Sequence, residues 1–404
     1  MANIYYLFFI LGAFTSLYLV FFKRRHFDFI SIFILTLMLY TLPLFFGSVR
    51  NIYIESFVVP DEQTYIVMGI PYYISTFFII LKNSYNFDKN VDVFHEKITL
   101  KLLLLLSSVG MFLYLPTIFS SSSKVELLEN SNLMVQILYA NIPIIGFLLS
   151  LLLKNKKFIL IFLLFLIVLF LFGARRSIAL AFIGSLIIFF INNPLRLISK
   201  IKWISLGGIA LFLVVLSKTM YGYILARGVI NGFKGWYSDF DWNFLFTGSE
   251  FLTTSTILNT VIISNFTTDK LYYFYSFLAL QPIPLSYFGY SSSYFNDMFQ
   301  PALFPSISYG MAYNPWAEVY SAFGYIGVIF FSLFICFSLR GMWYLCFRSN
   351  RVLLVILIFF GTLVAFWVER NSLATLLAYV RNVLYPLLII YLVTILLRKI
   401  LVKR

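Results

Sequence analysis

Apolar residues along this chain come in long runs, not in the alternation of a half-buried strand or the single stripe of a soluble helix. Runs of about 16–24 residues, each long enough or nearly so to cross a hydrocarbon core of about 30 Å as a helix, recur along the chain. They lie near 3–22, 28–47, 64–81, 99–119, 133–153, 158–173, 177–191, 203–217, 316–339, 352–368 and 372–397. The pattern predicts an all-α polytopic membrane protein with about eleven transmembrane helices. It breaks over 218–315, a segment of about 98 residues that is too long to lack elements of its own. Two apolar pieces inside it, Phe251–Ser264 and Leu271–Ser286, are short for a crossing, and the second carries Pro282 and Pro284. Both are expected as interfacial or re-entrant helices. The chain therefore divides into membrane helices over 1–217, one large loop over 218–315, and membrane helices over 316–404.

Composition fixes the class and charge fixes the orientation. With 61% hydrophobic and 11% charged residues, a soluble fold is excluded. The net charge of +14 would suggest nucleic acid only if the positions of the charges were ignored. Most of the 30 basic residues fall in alternate loops: Lys23, Arg24 and Arg25; Lys82, Lys89, Lys97 and Lys101; Lys154, Lys156 and Lys157; Arg196, Lys200 and Lys202; Arg340, Arg348 and Arg351; and Arg398, Lys399, Lys403 and Arg404. That asymmetry marks the cytoplasmic side, which puts the N-terminus and the 218–315 loop outside and the C-terminus inside. Met1 leads into an apolar stretch with no basic region before it, so the first run is expected to remain as a helix. Cys336 and Cys346 offer neither a disulfide framework nor a metal spacing. With no phosphate-cradling glycine loop either, no cofactor and no metal are expected. Tyr221, Tyr223, Trp236, Tyr237 and Trp242 in the large loop are read as interfacial belt residues, with sugar stacking as their other use.

The candidate chemistry gathers where the large loop ends. In the stretch from Gly310 to Gly327, Asn314 reads as an N-cap, Pro315 as the first helical residue and Glu318 as an acid in the first turn. Trp316 and Tyr320 flank it at the membrane mouth, and Gly324 and Gly327 are expected to allow close helix packing. Glu318 and Glu250 each adjoin an apolar segment, which makes them the candidate general bases among the external acids, with Tyr320 beside Glu318. A solvated loop acid or a simple helix-capping glutamate is the plainer alternative. The Asp239-x-Asp241 pair is a weak metal signal without further ligands. Arg175 and Arg176 break the positive-inside pattern at the mouth of two short runs, beside a helix N-terminus. Two guanidiniums there make an anion site suited to a phosphate or pyrophosphate, and anchoring to anionic lipid is the alternative. Lys218, Arg227 and Arg370 are further external cations, Arg370 standing beside Glu369 as a surface pair. Both histidines, His26 and His95, fall in cytoplasmic loops. No external Ser-His-Asp or Cys-His arrangement is therefore available.

Taken in order, these features resemble the bacterial O-antigen polymerase family, the oligosaccharide repeat-unit polymerases. The residues that carry the resemblance are Gly173-Ala-Arg175-Arg176-Ser177 entering a helix, then Gly248-Ser-Glu250-Phe251 and Pro282-Ile-Pro284 in the large loop. The run Glu318-x-Tyr320-x-x-Phe323-Gly324-x-x-Gly327 and Arg370 at the last external turn complete it. The likeness covers roughly 160–385. It implies a C-type glycosyltransferase architecture in the bacterial inner membrane, with the N-terminus periplasmic. It also implies joining of undecaprenyl-pyrophosphate-linked oligosaccharides at the outer face, with membrane lipids and a chain-length regulator as partners. In that scheme Glu318, Glu250 or Tyr320 serves the acceptor hydroxyl, and Arg175, Arg176, Arg227, Arg370 and Lys218 hold the pyrophosphate. An O-antigen ligase shares the layout but uses an external histidine. A lipid-linked-oligosaccharide flippase or transporter is the alternative of another class, and would show broken helices in repeated halves.

Overall fold

The computed structural model describes residues 3–23, 27–51, 56–81, 93–120, 138–171, 175–191, 227–239, 250–283, 294–307 and 311–402, with short pieces within 201–208 and 220–224. Among them six helices are long and apolar enough to cross a membrane: Ile4–Lys23, Glu62–Ile80, Glu96–Thr117, Pro315–Arg348, Arg351–Arg370 and Leu373–Leu396. The chain is a helical, multi-pass membrane protein. Four shorter apolar helices accompany the six, at Phe29–Tyr40, Leu138–Leu152, Arg176–Phe190 and Thr253–Ile263. The expected helix over 203–217 lies almost wholly outside the described residues. One departure from an all-helical chain is a small antiparallel hairpin, Val49–Asn51 against Ser56–Val58.

Helix starts follow local chemistry. Asn3, Asp28, Asp61, Asp269 and Asn314 each accept a backbone N–H from the first turn they precede. Each such cap is worth about 1 kcal/mol, and it satisfies a donor that water cannot reach inside a bilayer.

The chain forms two compact units that interleave along the sequence, a partition different from that of membrane and loop segments. The first comprises 1–85, 247–344 and 361–381, and the second 86–246, 345–360 and 382–404. In the first unit the Ile4–Tyr18 helix lies along Glu62–Ile80, where Gly12 opposes the Tyr73 ring and Gly69 opposes Phe8, so closely that a methyl group would not fit. The Phe29–Tyr40 helix, about 18 Å long, is too short to cross alone. Phe29, Phe33, Ile34 and Leu37 are fully buried, which makes it a core helix within the run expected over 28–47. Thr41 and Pro43 stop it, and a short helix, Leu42–Phe45, follows.

The Glu250–Ile263 helix covers the first of the two pieces expected as interfacial or re-entrant. Ile257 and Leu258 are fully buried, and its polar side chains bind neighbouring backbone. Ser255 Oγ donates to Tyr40 O at 2.8 Å, Thr256 Oγ1 donates to Arg50 O at 2.7 Å, and Asn259 Oδ1 accepts from Asp61 N at 2.8 Å. A helix so held is a buried element whose short length is irrelevant, since protein and not lipid surrounds it. In the next apolar piece, Lys270–Tyr275 and the 3-10 turn Ser276–Leu280 leave Leu271, Phe274 and Phe277 exposed.

In the second unit, Val93–Ser120, Ile142–Leu152, Lys156–Leu171 and Arg175–Phe190 pack through small residues. Gly110 sits against Leu138, Gly146 against the Phe162 ring and Gly184 against Leu148. The Tyr114 and Tyr139 rings stack at 3.5 Å. Glu96, 2% exposed, receives Arg351 Nη1 at 3.4 Å. A pocket in this unit is lined mostly by aliphatic side chains, among them Leu103, Ile145, Leu149, Val355 and Leu387, with Thr99 and Tyr391.

Candidate functional site

The mouth of the Pro315–Arg348 helix is built as its sequence suggests, and then goes further. Asn314 Oδ1 accepts from Trp316 N at 2.9 Å and from Ala317 N at 3.0 Å, while its amide donates to Thr254 O at 2.7 Å. One side chain thus caps its own helix and ties it to the buried Glu250–Ile263 helix. Nine residues in, Gly324 adopts φ 63° and ψ −150°, which divides the element into a short first helix and a longer second one. No atom lies within 4 Å of where a Gly324 Cβ would stand. The residue is there for its backbone conformation, not for the close packing expected of it.

Glu318 is 1% exposed. Its own helix is capped by Asn314, so its carboxylate reaches another: Oε2 accepts from Leu373 N at 2.8 Å, the first residue of the Leu373–Val402 helix. A carboxylate placed at the N-terminal turns of two helices draws on both dipoles, which offsets part of its desolvation cost without a cation. Its other oxygen, Oε1, is buried and makes no hydrogen bond among the described residues.

The turn before Leu373 answers in kind. Glu369 is 1% exposed, and its Oε2 accepts from the Trp316 indole at 2.8 Å. This corrects the expected surface pair with Arg370: the acid is in the core, where only an aromatic N–H reaches it. Its Oε1 is also buried and unbonded among the described residues. Tyr313 N donates to Arg370 O at 3.3 Å, and the Arg370 guanidinium lies over the Trp367 ring, 4.7 Å from its centre. Ser372 completes the turn, accepting from Thr375 N at 3.2 Å.

Hydroxyls surround this junction. Tyr272, on the Lys270–Tyr275 helix, carries a buried hydroxyl with no hydrogen bond among the described residues. Burial pushes its pKa up, and the charges of Glu318 and Asp297 add to that. Tyr273 is raised by burial and by Glu318, and its ring meets Phe323 edge-on at 5.4 Å. Tyr313 is pushed up to about 12 by burial, against a hydrogen bond with Thr375. All three stay protonated at neutral pH and so remain hydrogen-bond donors.

The remaining sequence-derived candidates fall into two sets. Tyr320 is in the first unit, half-buried, its hydroxyl donating to Gln63 Oε1 at 2.7 Å. Glu250 opens its helix in the same unit, with only its backbone described. Arg175, Arg176 and Arg227 belong to the second unit. Arg175 and Arg176 are the first two residues of their helix, which begins two positions earlier than expected, and Arg176 lies within electrostatic reach of Tyr139. Arg227 is exposed, 5.5 Å from the centre of the Tyr223 ring. Lys218, Gly173, Gly248, Ser249 and Pro284 lie outside the described residues. Among the described residues no group of three or more His, Cys, Asp or Glu side chains is placed to hold a metal ion.

Sequence reasoning missed Glu369, Tyr272 and Trp316 as members of one constellation. The signal available was Glu369 at the end of an apolar run, which reads as a loop acid until the fold buries it. Comparison with protein-family models, curated proteins and solved structures finds no match to this chain.

Proposed function

We propose that this protein is a membrane glycosyltransferase that polymerises undecaprenyl-pyrophosphate-linked oligosaccharide units into a surface polysaccharide at the external face of the bacterial inner membrane. The observation that carries the reading is the Glu318 carboxylate. It stands in the first turn of a membrane helix, in the run of residues on which the family resemblance rests, buried and with one oxygen unspent. A buried carboxyl oxygen without a hydrogen bond among the described residues, at the mouth of a membrane helix, supports a role in chemistry. In the proposed reaction an acceptor sugar hydroxyl gives its proton toward Glu318 as its oxygen attacks the anomeric carbon of the donor glycan. The bond from that carbon to the pyrophosphate oxygen breaks, and lipid pyrophosphate leaves with the electron pair. Arg370 in the first unit, Arg175, Arg176 and Arg227 in the second, and Lys218 are the cations that the resemblance assigns to the leaving charge, which guanidinium and ammonium groups stabilise. Tyr320 positions the helix mouth through Gln63, and Glu250 is the second candidate base.

A lipid-linked-oligosaccharide flippase is the second reading, favoured by the break at Gly324 inside a membrane helix. Purified full-length protein, given lipid-linked repeat units, separates the two: the transferase yields polymer and free lipid pyrophosphate, whereas a flippase leaves the units unchanged in length. Orientation is tested in a background lacking Cys336 and Cys346. Ser264→Cys is expected to react with an impermeant thiol reagent from outside, and Lys156→Cys only after permeabilisation. The reverse pattern removes the external site and the reading with it.

A further inference from the structure

In a straight helix, residues 316 and 331 stand about 22 Å apart along the axis. In the Pro315–Arg348 element the Trp316 and Phe331 rings meet edge-on, with 5.4 Å between their centres. The residues before Gly324 therefore fold back along those after it. The two arms match in length: Trp316 lies eight residues before Gly324 and Phe331 seven after it, which is about 12 and 10 Å along their helices. Residues 325–348 alone measure about 36 Å, enough to cross a bilayer, so the returning arm adds nothing to the crossing. It does carry Trp316, Ala317 and Glu318, each 1% exposed or less, into the packed interior of the first unit.

Two glycines make this possible, each in its own way. Gly324 makes the turn: φ 63° with ψ −150° is a backbone region used essentially by glycine alone, and the open space around it leaves conformation as the sole requirement. Gly327 lets the arms close. A Cβ there would stand 2.6 Å from Phe323 Cβ and 2.8 Å from Val319 Cγ1, although a straight helix keeps positions 319 and 327 about 12 Å apart. Once closed, the arm is held by polar groups along its length. Trp316 donates to Glu369, Glu318 accepts from Leu373 N, and Tyr320 donates to Gln63. Thr268 N donates to Ser321 O at 3.1 Å, and the Thr268 and Ser321 hydroxyls share a hydrogen bond of 2.9 Å. From the same segment Tyr273 and Phe274 pack on Phe323 before the bend and Phe277 on Phe334 beyond it, so that 268–280 splints the turn from outside.

We infer that Gly324 and Gly327 are positioning residues for Glu318. They fold the start of the helix back so that the Glu318 carboxylate meets the start of the Leu373–Val402 helix, a placement that a straight helix does not supply. The inference rests on the glycosyltransferase reading and extends it by naming what places the base. Glu318 lies six residues before Gly324, about 9 Å along the returning arm. A rotation of about 10° at the turn moves it by about 1.5 Å, and a misplacement of that order costs a reaction about a hundredfold.

The test reads the bend by NMR of the indole N–H groups in the full chain in detergent, and reads its use by polymer formation from lipid-linked repeat units. Trp316→Phe assigns the Trp316 signal among the six tryptophans. Phe331→Leu removes the ring that lies against Trp316 and is expected to shift that signal; a straight helix puts Phe331 out of reach, so an unmoved signal overturns the inference outright. Gly324→Ala is expected to shift the same signal and to lower kcat about a hundredfold with KM nearly unchanged. In a Glu318→Gln background it is expected to cost little further rate, because it acts through that carboxylate, whereas a merely structural glycine lowers both rates by one factor. Gly341→Ala, in equally open space but on ordinary helical backbone, is the control and is expected to change neither readout. Should Gly324→Ala not accumulate, Gly327→Ala takes its place, with a methyl group that wedges the arms apart. A shifted signal with kcat unchanged, or equal losses in both backgrounds, overturns the positioning role and leaves the transferase reading standing. A shifted signal in the glycine variant, while wild type makes no polymer, keeps the placement of Glu318 by the bend and removes the transferase.

Discussion

Each unit buries glutamate in or beside a membrane helix, and the two treat it differently. In the second unit Glu96 receives a guanidinium from Arg351, and the pocket of that unit is lined mostly by aliphatic side chains. In the first unit Glu318 and Glu369 are buried at least as deeply, yet among the described residues each receives a single N–H: a backbone amide for one, an indole for the other. A carboxyl group has two oxygens to offer, and in each of these acids Oε1 is unbonded among the described residues, so the first unit leaves hydrogen-bonding capacity open where the second brings a cation. Closure of that kind serves architecture. Open capacity in a core costs stability, and it persists where a ligand or a reacting proton supplies the missing contact.

The sharpest way to break this contrast is to neutralise each acid without changing its shape. Glu318→Gln is expected to lower polymer formation by orders of magnitude while the protein remains folded, since the amide oxygen still accepts from Leu373 N. Arg176→Ala and Arg175→Ala belong to the same class of effect. Lysine is expected to rescue them poorly, because a bidentate fork becomes a point charge. Polymer formation by Glu318→Gln at the wild-type rate would return that residue to helix capping alone.

Stability comes next. Trp316→Phe removes the indole N–H that reaches Glu369, the donor it has among the described residues, at a cost of about 2–3 kcal/mol. It should appear as a lowered melting temperature in detergent. A melting curve that does not move would mean that Glu369 finds another donor.

The smallest effect is expected in the second unit. Glu96→Gln strips the counter-charge from Arg351, whose side chain is 27% exposed and can regain water, so the loss is about 1 kcal/mol or less. Polymer yield per folded molecule should be unchanged. A fall in specific activity here, matching that of Glu318→Gln, would erase the distinction between the two units.

Much of the architecture is legible in the sequence because a bilayer leaves few choices. The apolar runs at 64–81, 99–119, 158–173, 177–191, 352–368 and 372–397 each correspond to a helix. Asn314-Pro315 starts its helix by a cap that needs only local atoms. The short runs are where the reading stops. Phe29–Tyr40 and Glu250–Ile263 look alike as apolar pieces, one read within a membrane helix and the other as interfacial or re-entrant, and both are packed inside the protein. Hydropathy reports that a segment avoids water. Whether lipid or protein takes the place of that water depends on which segments pack beside it.

The same division runs through the site. The sequence by itself determined a helical membrane chain, a capped helix mouth and an acid in its first turn, because run length, N-cap chemistry and dipole preference act within a few residues. Only the tertiary structure decided that this acid binds the start of a helix 55 positions away. It also decided that Glu369 leaves the surface for the core and that Tyr272 brings a hydroxyl to the same junction. Those outcomes depend on which groups of distant segments are desolvated together, and desolvation is a property of the packed interior that no single stretch of chain carries.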